Sequence, residues 1–317
     1  MKKAIIVGHT GQDGTYLYNL LKEKKYSLIG ISSSSVSSVD FVPYNKIDIL
    51  NYKQVPAIIK NFQPDEIYYL AAVHQSSADE SIEEGELFQK SIDINVKAFI
   101  NFLDAVRLCS SHTKIFYAAS SHIFGNPLTS PQDEHTPVYP NCIYGITKAA
   151  GMHACHFYRE NHNIFASVGI FYNHESPLRK SKYVSKKIVE SAVSIKKKNG
   201  GELVLGNIDA KIDWGYAPDY MEAAFRALQQ KNADDFIISS GSLHSIKDFV
   251  SGVFNYLKLD WTKYVKINPA LITKKQKQNL FGNNQKIKQR TGWIPNVNFE
   301  SLIKILVDEE LKNYDSK

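Results

Sequence analysis

Short apolar runs alternate with longer stretches of helical spacing through the first half of the chain. Ala4-Ile5-Ile6-Val7, Ser27 to Ile31, Glu66 to Ala72, Lys114 to Ala119 and Phe165 to Tyr172 are continuous rather than alternating. That is the pattern of strands buried on both faces of a parallel sheet. Between them, Thr15–Lys24, Tyr52–Asn61, Glu84–Leu108 and Asn141–Asn161 repeat apolar residues at helical intervals, and Lys46-Ile47-Asp48-Ile49 reads as a further strand. Strand–helix alternation predicts a doubly wound α/β fold, with ligands at the C-terminal ends of the strands. Beyond Tyr172 the alternation loosens. Helices are expected at Tyr183–Lys198, Ala217–Gln229, Ile246–Leu257 and Phe299–Leu311, and strands at Leu203–Leu205 and Phe236–Ile238. The expected organisation is residues 1–172 as a Rossmann-type domain and 173–317 as a smaller α/β substrate-binding lobe, with the substrate between them. Lys274–Lys288 is polar and lysine-rich, and neither a repeat nor a low-complexity linker interrupts the chain.

The turn leaving the first strand, Gly8-His9-Thr10-Gly11-Gln12-Asp13-Gly14, spaces three glycines three apart at the start of a predicted helix. A dinucleotide pyrophosphate needs that arrangement: one glycine for the turn, one for close approach of backbone to phosphate, one for helix–strand packing. Gly8, Thr10, Gly11, Gln12, Asp13 and Gly14 are therefore candidate cofactor residues. Leu70, Ala71 and Ala72 join them, because small residues at a strand end let a bound dinucleotide near the backbone. After the second strand stand serines, including Ser32 and Ser33, where an acidic residue would select NAD and an arginine NADP. Their hydroxyls suit a 2′-phosphate as well as a plain loop, so NAD and NADP both stay open. Asp48 is expected on the adenine side.

Composition narrows the class. The 317 residues are 43% hydrophobic with a net charge of +6. The surplus is spread out, which argues against a nucleic-acid surface and suits a polyanionic small molecule. Three unpatterned cysteines fit a reducing cytoplasm, and no apolar run is long enough to span a membrane. His153, His156 and His162 lack acidic or cysteine partners at ligand spacing, so no metal site is expected and they are read as decorating their helix.

Tyr144 and Lys148 lie four apart in a predicted helix and share one face. A lysine there can lower the phenol's pKa and make it a base near neutral pH. Ser120, ending the fifth strand, can reach the same substrate oxygen. Tyrosine, lysine, serine and the glycine turn together point to a catalytic set beside a nucleotide site.

These residues resemble the extended short-chain dehydrogenase/reductases that act on nucleotide sugars, and within them the GDP-mannose 4,6-dehydratases. Further matching stretches are Asn173-His174-Glu175-Ser176-Pro177, Leu205 to Gly215 and Gly292-Trp293-Ile294-Pro295. The resemblance implies a tightly bound NADP or NAD, regenerated each turnover, and a nucleotide-sugar substrate linked to GDP. In it Tyr144 takes the C4 hydroxyl proton, Lys148 holds the ribose and Ser120 bonds the C4 oxygen. It places the substrate against Ser121, Asn173, Glu175, Arg179, Val184, Lys187, Gly206 and Lys211. It also implies a homodimer or homotetramer built on the helices Glu84–Leu108 and Asn141–Asn161.

Where the family carries a glutamate as acid and base for water loss, this chain has His122. A neutral imidazole suits that task. The alternative is a C4 dehydrogenase, reductase or epimerase that has lost elimination. The family's arginine-rich loop after strand two is replaced by serines, an expected arginine is Ile212, and an arginine–proline stretch reads Thr273-Lys274-Lys275-Gln276.

Overall fold

The computed structural model describes residues 1–33, 36–38, 47–74, 82–272 and 279–316. The stretch Thr273–Gln276 and Lys46 of the expected third strand lie outside these. β1 (Lys3–Val7), α1 (Gln12–Glu23), β2 (Ser27–Ile31), β3 (Val36–Ser38), α2 (Gln54–Phe62) and β4 (Glu66–Tyr69) come first. The expected long helix follows as α3 (Glu84–Ile92) and α4 (Ala98–Cys109), joined by a π-turn at Asp93–Lys97. Then come β5 (Lys114–Ser120), a 3₁₀ turn (Ser121–Phe124), α5 (Ile143–His162) and β6 (Ala166–Phe171). The remainder is β7 (Asn173–Glu175), α6 (Val184–Lys198), β8 (Leu203–Leu205), β9 (Lys211–Tyr216), α7 (Ala217–Leu228), β10 (Asp235–Ile238), β11 (Leu243–Ser245), α8 (Ile246–Tyr256), β12 (Val265–Ile267), α9 (Gln285–Thr291) and α10 (Phe299–Asp315).

One sheet runs in the order β10-β6-β5-β4-β1-β2-β3, parallel except for β3. Alternate residues of each strand enter opposite layers. Ile5, Val7, Tyr69 and Tyr117 pack with α2, α4 and α5, whereas Ala4, Ile6, Tyr68 and Phe116 pack with α1 and α7. Both faces are covered, which is why these strands read as unbroken apolar runs. A separate core joins α6, β8, α8 and α10 around Trp214. Among the described residues no helix is long and apolar enough to cross a membrane.

Three sequence expectations change here. The sheet draws on both sides of the expected 172/173 division, because β10 pairs in register with β6 (Phe236 beside Gly169) and α7 covers the sheet. A buried strand carries no mark of which edge it joins. Residues 47–49 form no strand. Ile47 is buried, but the Asp48 N–H donates to Gln54 Oε1 and its carboxylate accepts from the Leu50 N–H, making a turn into α2. The edge beside β2 goes to antiparallel β3. His156 does not merely decorate its helix: its Nε2 lies 2.5 Å from Asp235 Oδ2, tying α5 to β10.

Two aspartates after β7 tie together backbone from separate parts of the chain. Asp213 accepts from the Ser240 N–H and hydroxyl and from the Gly282 N–H, and burial pushes its carboxyl up to about 6. Asp219, at the start of α7, accepts from the N–H groups of Asn296 and Val297, both at 2.9 Å. Its carbonyl receives the indole N–H of buried Trp293. Asp219→Ala strands two backbone donors and is expected to lower the unfolding free energy by about 2–4 kcal/mol, read from urea denaturation.

Candidate active site

The glycine turn is held by backbone contacts that exclude side chains. Gly8 adopts φ +94°, and a Cβ there would stand 2.8 Å from Ala71 N; one on Gly14 would stand 2.2 Å from the Gly8 carbonyl oxygen. The Gly8 N–H donates to Ile31 O at 2.7 Å, which brings the end of β2, with buried Ser32 and exposed Ser33, beside the turn. Gly11 caps α1 with no side-chain hydrogen bond, and Thr10 and Gly11 are exposed. The first N–H groups of α1 thus present a site for an anion.

A cleft of about 270 Å³ opens at this turn. Gly8, Gly11, Gln12, Asp13 and Gly14 form one wall, Leu70, Ala72 and His74 another, and Leu178, Arg179, Lys180, Lys182 and Tyr183 face them. Asp13 is fixed by His174, whose Nε2 lies 3.0 Å from both carboxylate oxygens. Burial alone would raise the Asp13 carboxyl, but the imidazole outweighs it and holds the group below its ordinary range. Burial likewise opposes charge on His174, and the carboxylate overcomes it, so that imidazole is held above its ordinary value.

Tyr144 lies in the first turn of α5. The helix starts there because Cys142 is extended and its Sγ accepts from the Gly145 N–H. Gly145 lets that turn sit on the 3₁₀ turn below it: a Cβ would stand 2.4 Å from the His122 carbonyl oxygen. Ser120 Oγ caps the 3₁₀ turn by accepting from the His122 N–H at 3.3 Å. Ser120, His122 and Tyr144 are thereby gathered by two adjoining turns, with the His122 ring 5.9 Å from the phenol ring.

Lys148 is 1% exposed; its ammonium donates to Ala118 O at 2.7 Å and lies 5.7 Å from the Tyr144 ring centre. Burial pushes Lys148 down to about 7. The Tyr144 phenol moves opposite to the sequence expectation. Burial raises it above its ordinary value, with Tyr183 and Asp13 adding to the rise. Desolvation of the phenolate outweighs a lysine that is itself desolvated and bonded to a carbonyl.

The other expected substrate residues separate in space. Arg179 lines the cleft, lies 3.1 Å from buried Glu175 and stacks 3.7 Å over the Tyr183 ring. Glu175 also accepts from Ser185. Ser121 is buried in the 3₁₀ turn, Asn173 is exposed on β7, and Val184 opens α6. Lys187 donates to Val204 O on β8, next to Gly206, whose Cβ position faces Leu271. Lys211 is exposed at the start of β9. Asp48 is exposed in the turn before α2.

Sequence reasoning missed His74, Tyr183 and Asn95. The His74 ring meets Tyr144 edge-on at 4.6 Å, and the Tyr183 hydroxyl lies 3.2 Å from His74 Nδ1. Buried Asn95, inside the π-turn, donates to Thr147 Oγ1 at 2.9 Å and accepts from the Val73 N–H at 2.8 Å. His74 had one signal, its place just past the small residues that end a central strand. A π-turn leaves none.

The family model for GDP-mannose 4,6 dehydratase matches residues 5–306. GDP-mannose 4,6 dehydratase 2 of Arabidopsis thaliana is 35% identical over 98% of this chain and 87% of that protein. The GDP-mannose 4,6-dehydratase of Vibrio cholerae is 31% identical over 98% and 94%. Among solved structures, RMD from Pseudomonas aeruginosa complexed with NADPH has a TM-score of 0.83 at 18% identity, covering 99% of this chain and 100% of that one. The dTDP-glucose 4,6-dehydratase of Bacillus anthracis in complex with NAD gives 0.81 at 19% identity, covering 99% and 98%. The two solved structures share the fold.

Lys148 sets a pH test. With its folded pKa near 7, below the ordinary lysine value of 10.5, the unfolded chain binds more protons between those limits. Stability therefore rises with pH across that window, and the burial cost is fully present below it. Lys148→Met is expected to stabilise the protein by a few kcal/mol at about pH 7 and by progressively less toward pH 10, measured by urea unfolding across that range.

Proposed function

The chain belongs to the GDP-mannose 4,6-dehydratase family, and from that premise we propose that it removes water across C5 and C6 of GDP-mannose. The observation that carries the reading is the meeting of two arrangements. The glycine turn, closed to a Cβ at Gly8 and Gly14, opens one end of a cleft, and Tyr144, backed by Lys148 and Ser120, packs against His74 in the wall of the same cleft.

A nicotinamide dinucleotide fits that turn, since no Cβ fits at Gly8 or Gly14 and α1 offers uncapped N–H groups. Gly8, Thr10, Gly11, Gln12, Gly14, Ser32 and the end of β4 would hold it, and Tyr144 and Lys148 would meet its nicotinamide ribose. Bound there, it supplies reversible hydride acceptance, from C4 and back to C6.

The chain's own residues do the rest. Tyr144 accepts the C4 hydroxyl proton, and Ser120 donates a hydrogen bond to the C4 oxygen as it becomes a carbonyl. Lys148 titrates near neutrality, so its charged form is accessible behind the phenol and favours phenolate once the site is filled. The C4 carbonyl acidifies the C5 proton, which neutral His122 takes in place of the family's glutamate. Arg179, Lys180 and Lys182 across the cleft draw anionic phosphate toward it. Lys187, Gly206 and Lys211 mark the nucleotide end, so residues 1–172 chiefly serve the cofactor and catalysis and 173–317 the sugar nucleotide. We extend the reading to a homodimer or homotetramer built on α3, α4 and α5, where Ile100, Ile146 and Phe157 are exposed.

Incubation with GDP-mannose is expected to yield a product lighter by one water, by mass spectrometry. Tyr144→Phe should lower kcat by roughly 10²–10⁴-fold. No water loss from GDP-mannose or a GDP-heptose would overturn the proposal. An isobaric product, or stoichiometric reduced cofactor, would instead identify an enzyme that stops at C4.

A further inference from the structure

The loop after β4 is fixed before it reaches the site. Asn95 grips Val73 from both sides, accepting from its N–H at 2.8 Å and donating to its carbonyl at 3.3 Å. The same amide donates to Thr147 on α5, so the residue after Val73 is held at a set place relative to Tyr144. That residue is His74. Its ring stands edge-on to the phenol at 4.6 Å, lines the cleft and is oriented by the Tyr183 hydroxyl at Nδ1. His122 also faces the phenol edge-on, at 5.9 Å, and the two imidazole rings are 6.4 Å apart.

We propose that His74 is a second acid–base residue of the water-loss step, protonating the leaving oxygen while His122 takes the carbon-bound proton. The inference rests on the dehydratase reading and assigns a task that reading left without a residue. C4, C5 and C6 are consecutive carbons, so a sugar that gives its C4 proton to Tyr144 brings C5 and C6 within two bonds of it. Two rings flanking the phenol and 6.4 Å apart can address both carbons of one ligand. Hydroxide is a poor leaving group, so the C6 oxygen needs a proton as its bond breaks. Imidazole can give or take a proton near neutral pH, so one ring can serve as acid and the other as base.

The step balances. His122 takes the C5 proton, the C5–H electron pair becomes the C5–C6 double bond, and the C6–O bond breaks. The oxygen leaves as water with the proton of His74. His122 later returns its proton to C5. His74 regains one from Tyr144, against which it packs, and Tyr144 had taken it from the C4 hydroxyl. The substrate loses one water and both imidazoles end as they began.

A substrate whose leaving group needs no proton separates this role from a structural one. Wild type, His74→Gln and His122→Gln are compared on GDP-mannose and on GDP-6-deoxy-6-fluoromannose, following product mass and released fluoride. Glutamine keeps a polar group for Tyr183. Expected for His74→Gln is a kcat loss of roughly 10²–10⁴-fold on GDP-mannose with near wild-type fluoride release, and for His122→Gln a loss of that order on both. Equal loss on both substrates by His74→Gln, or none on GDP-mannose, overturns the assignment while water release by wild type leaves the dehydratase reading standing. A wild type inert toward both substrates overturns that reading, and this one with it.

Discussion

The close approach of α5 to the 3₁₀ turn after β5 is the constraint from which the site follows. With hydrogen alone at Gly145, the first turn of the helix rests on the His122 carbonyl. That contact sets Tyr144 beside the Ser120–His122 turn and carries Lys148 one turn further, beneath the central strand β5, where it meets Ala118 O. Gly151 repeats the device deeper in the helix: a Cβ there would run into the Tyr117 hydroxyl at 2.2 Å. That hydroxyl in turn donates to the Asn95 carbonyl in the π-turn. Helix, strand and interrupted helix are thus locked together where Ser120, His122 and Tyr144 emerge, an arrangement of rigid elements suited to precise positioning.

Burial sets the electrostatics of this region more than any single ion pair. It raises the Tyr144 phenol and lowers the Lys148 ammonium, so both uncharged forms are favoured. The exception is Asp13 with His174, half-buried together and held charged by each other. Their contact joins the glycine turn to β7, and Gln12 adds to it by accepting from Ser176 at 2.9 Å. The glycine turn is therefore tied to the strand that opens the second half of the chain. Breaking one partner of such a half-buried pair leaves a partly desolvated charge uncompensated, a larger cost than losing a fully exposed bridge.

The two halves of the chain are less separable than their patterning suggests. α7 and β10 complete the first sheet, while Asp213 holds Ser240 and Gly282, and Asp219 holds Asn296 and Val297. Backbone donors far apart in sequence converge on two carboxylates.

Periodicity determined the parallel sheet, the glycine turn and the shared face of Tyr144 and Lys148, because each depends on residues adjacent or a helical turn apart. β2 lies where its apolar run predicted, and Ser120 ends β5 as the small, polar close of that run implied. Tertiary structure alone decided which edge β10 joins, that residues 47–49 turn rather than pair, and that the phenol is pushed up rather than down. Each is set outside the apolar run itself: an open sheet edge, the Gln54 side chain six residues on, the depth of a pocket. His74 reaches Tyr144 only because Asn95 clamps the intervening loop, and a contact spanning three separate elements leaves no periodic trace in the chain.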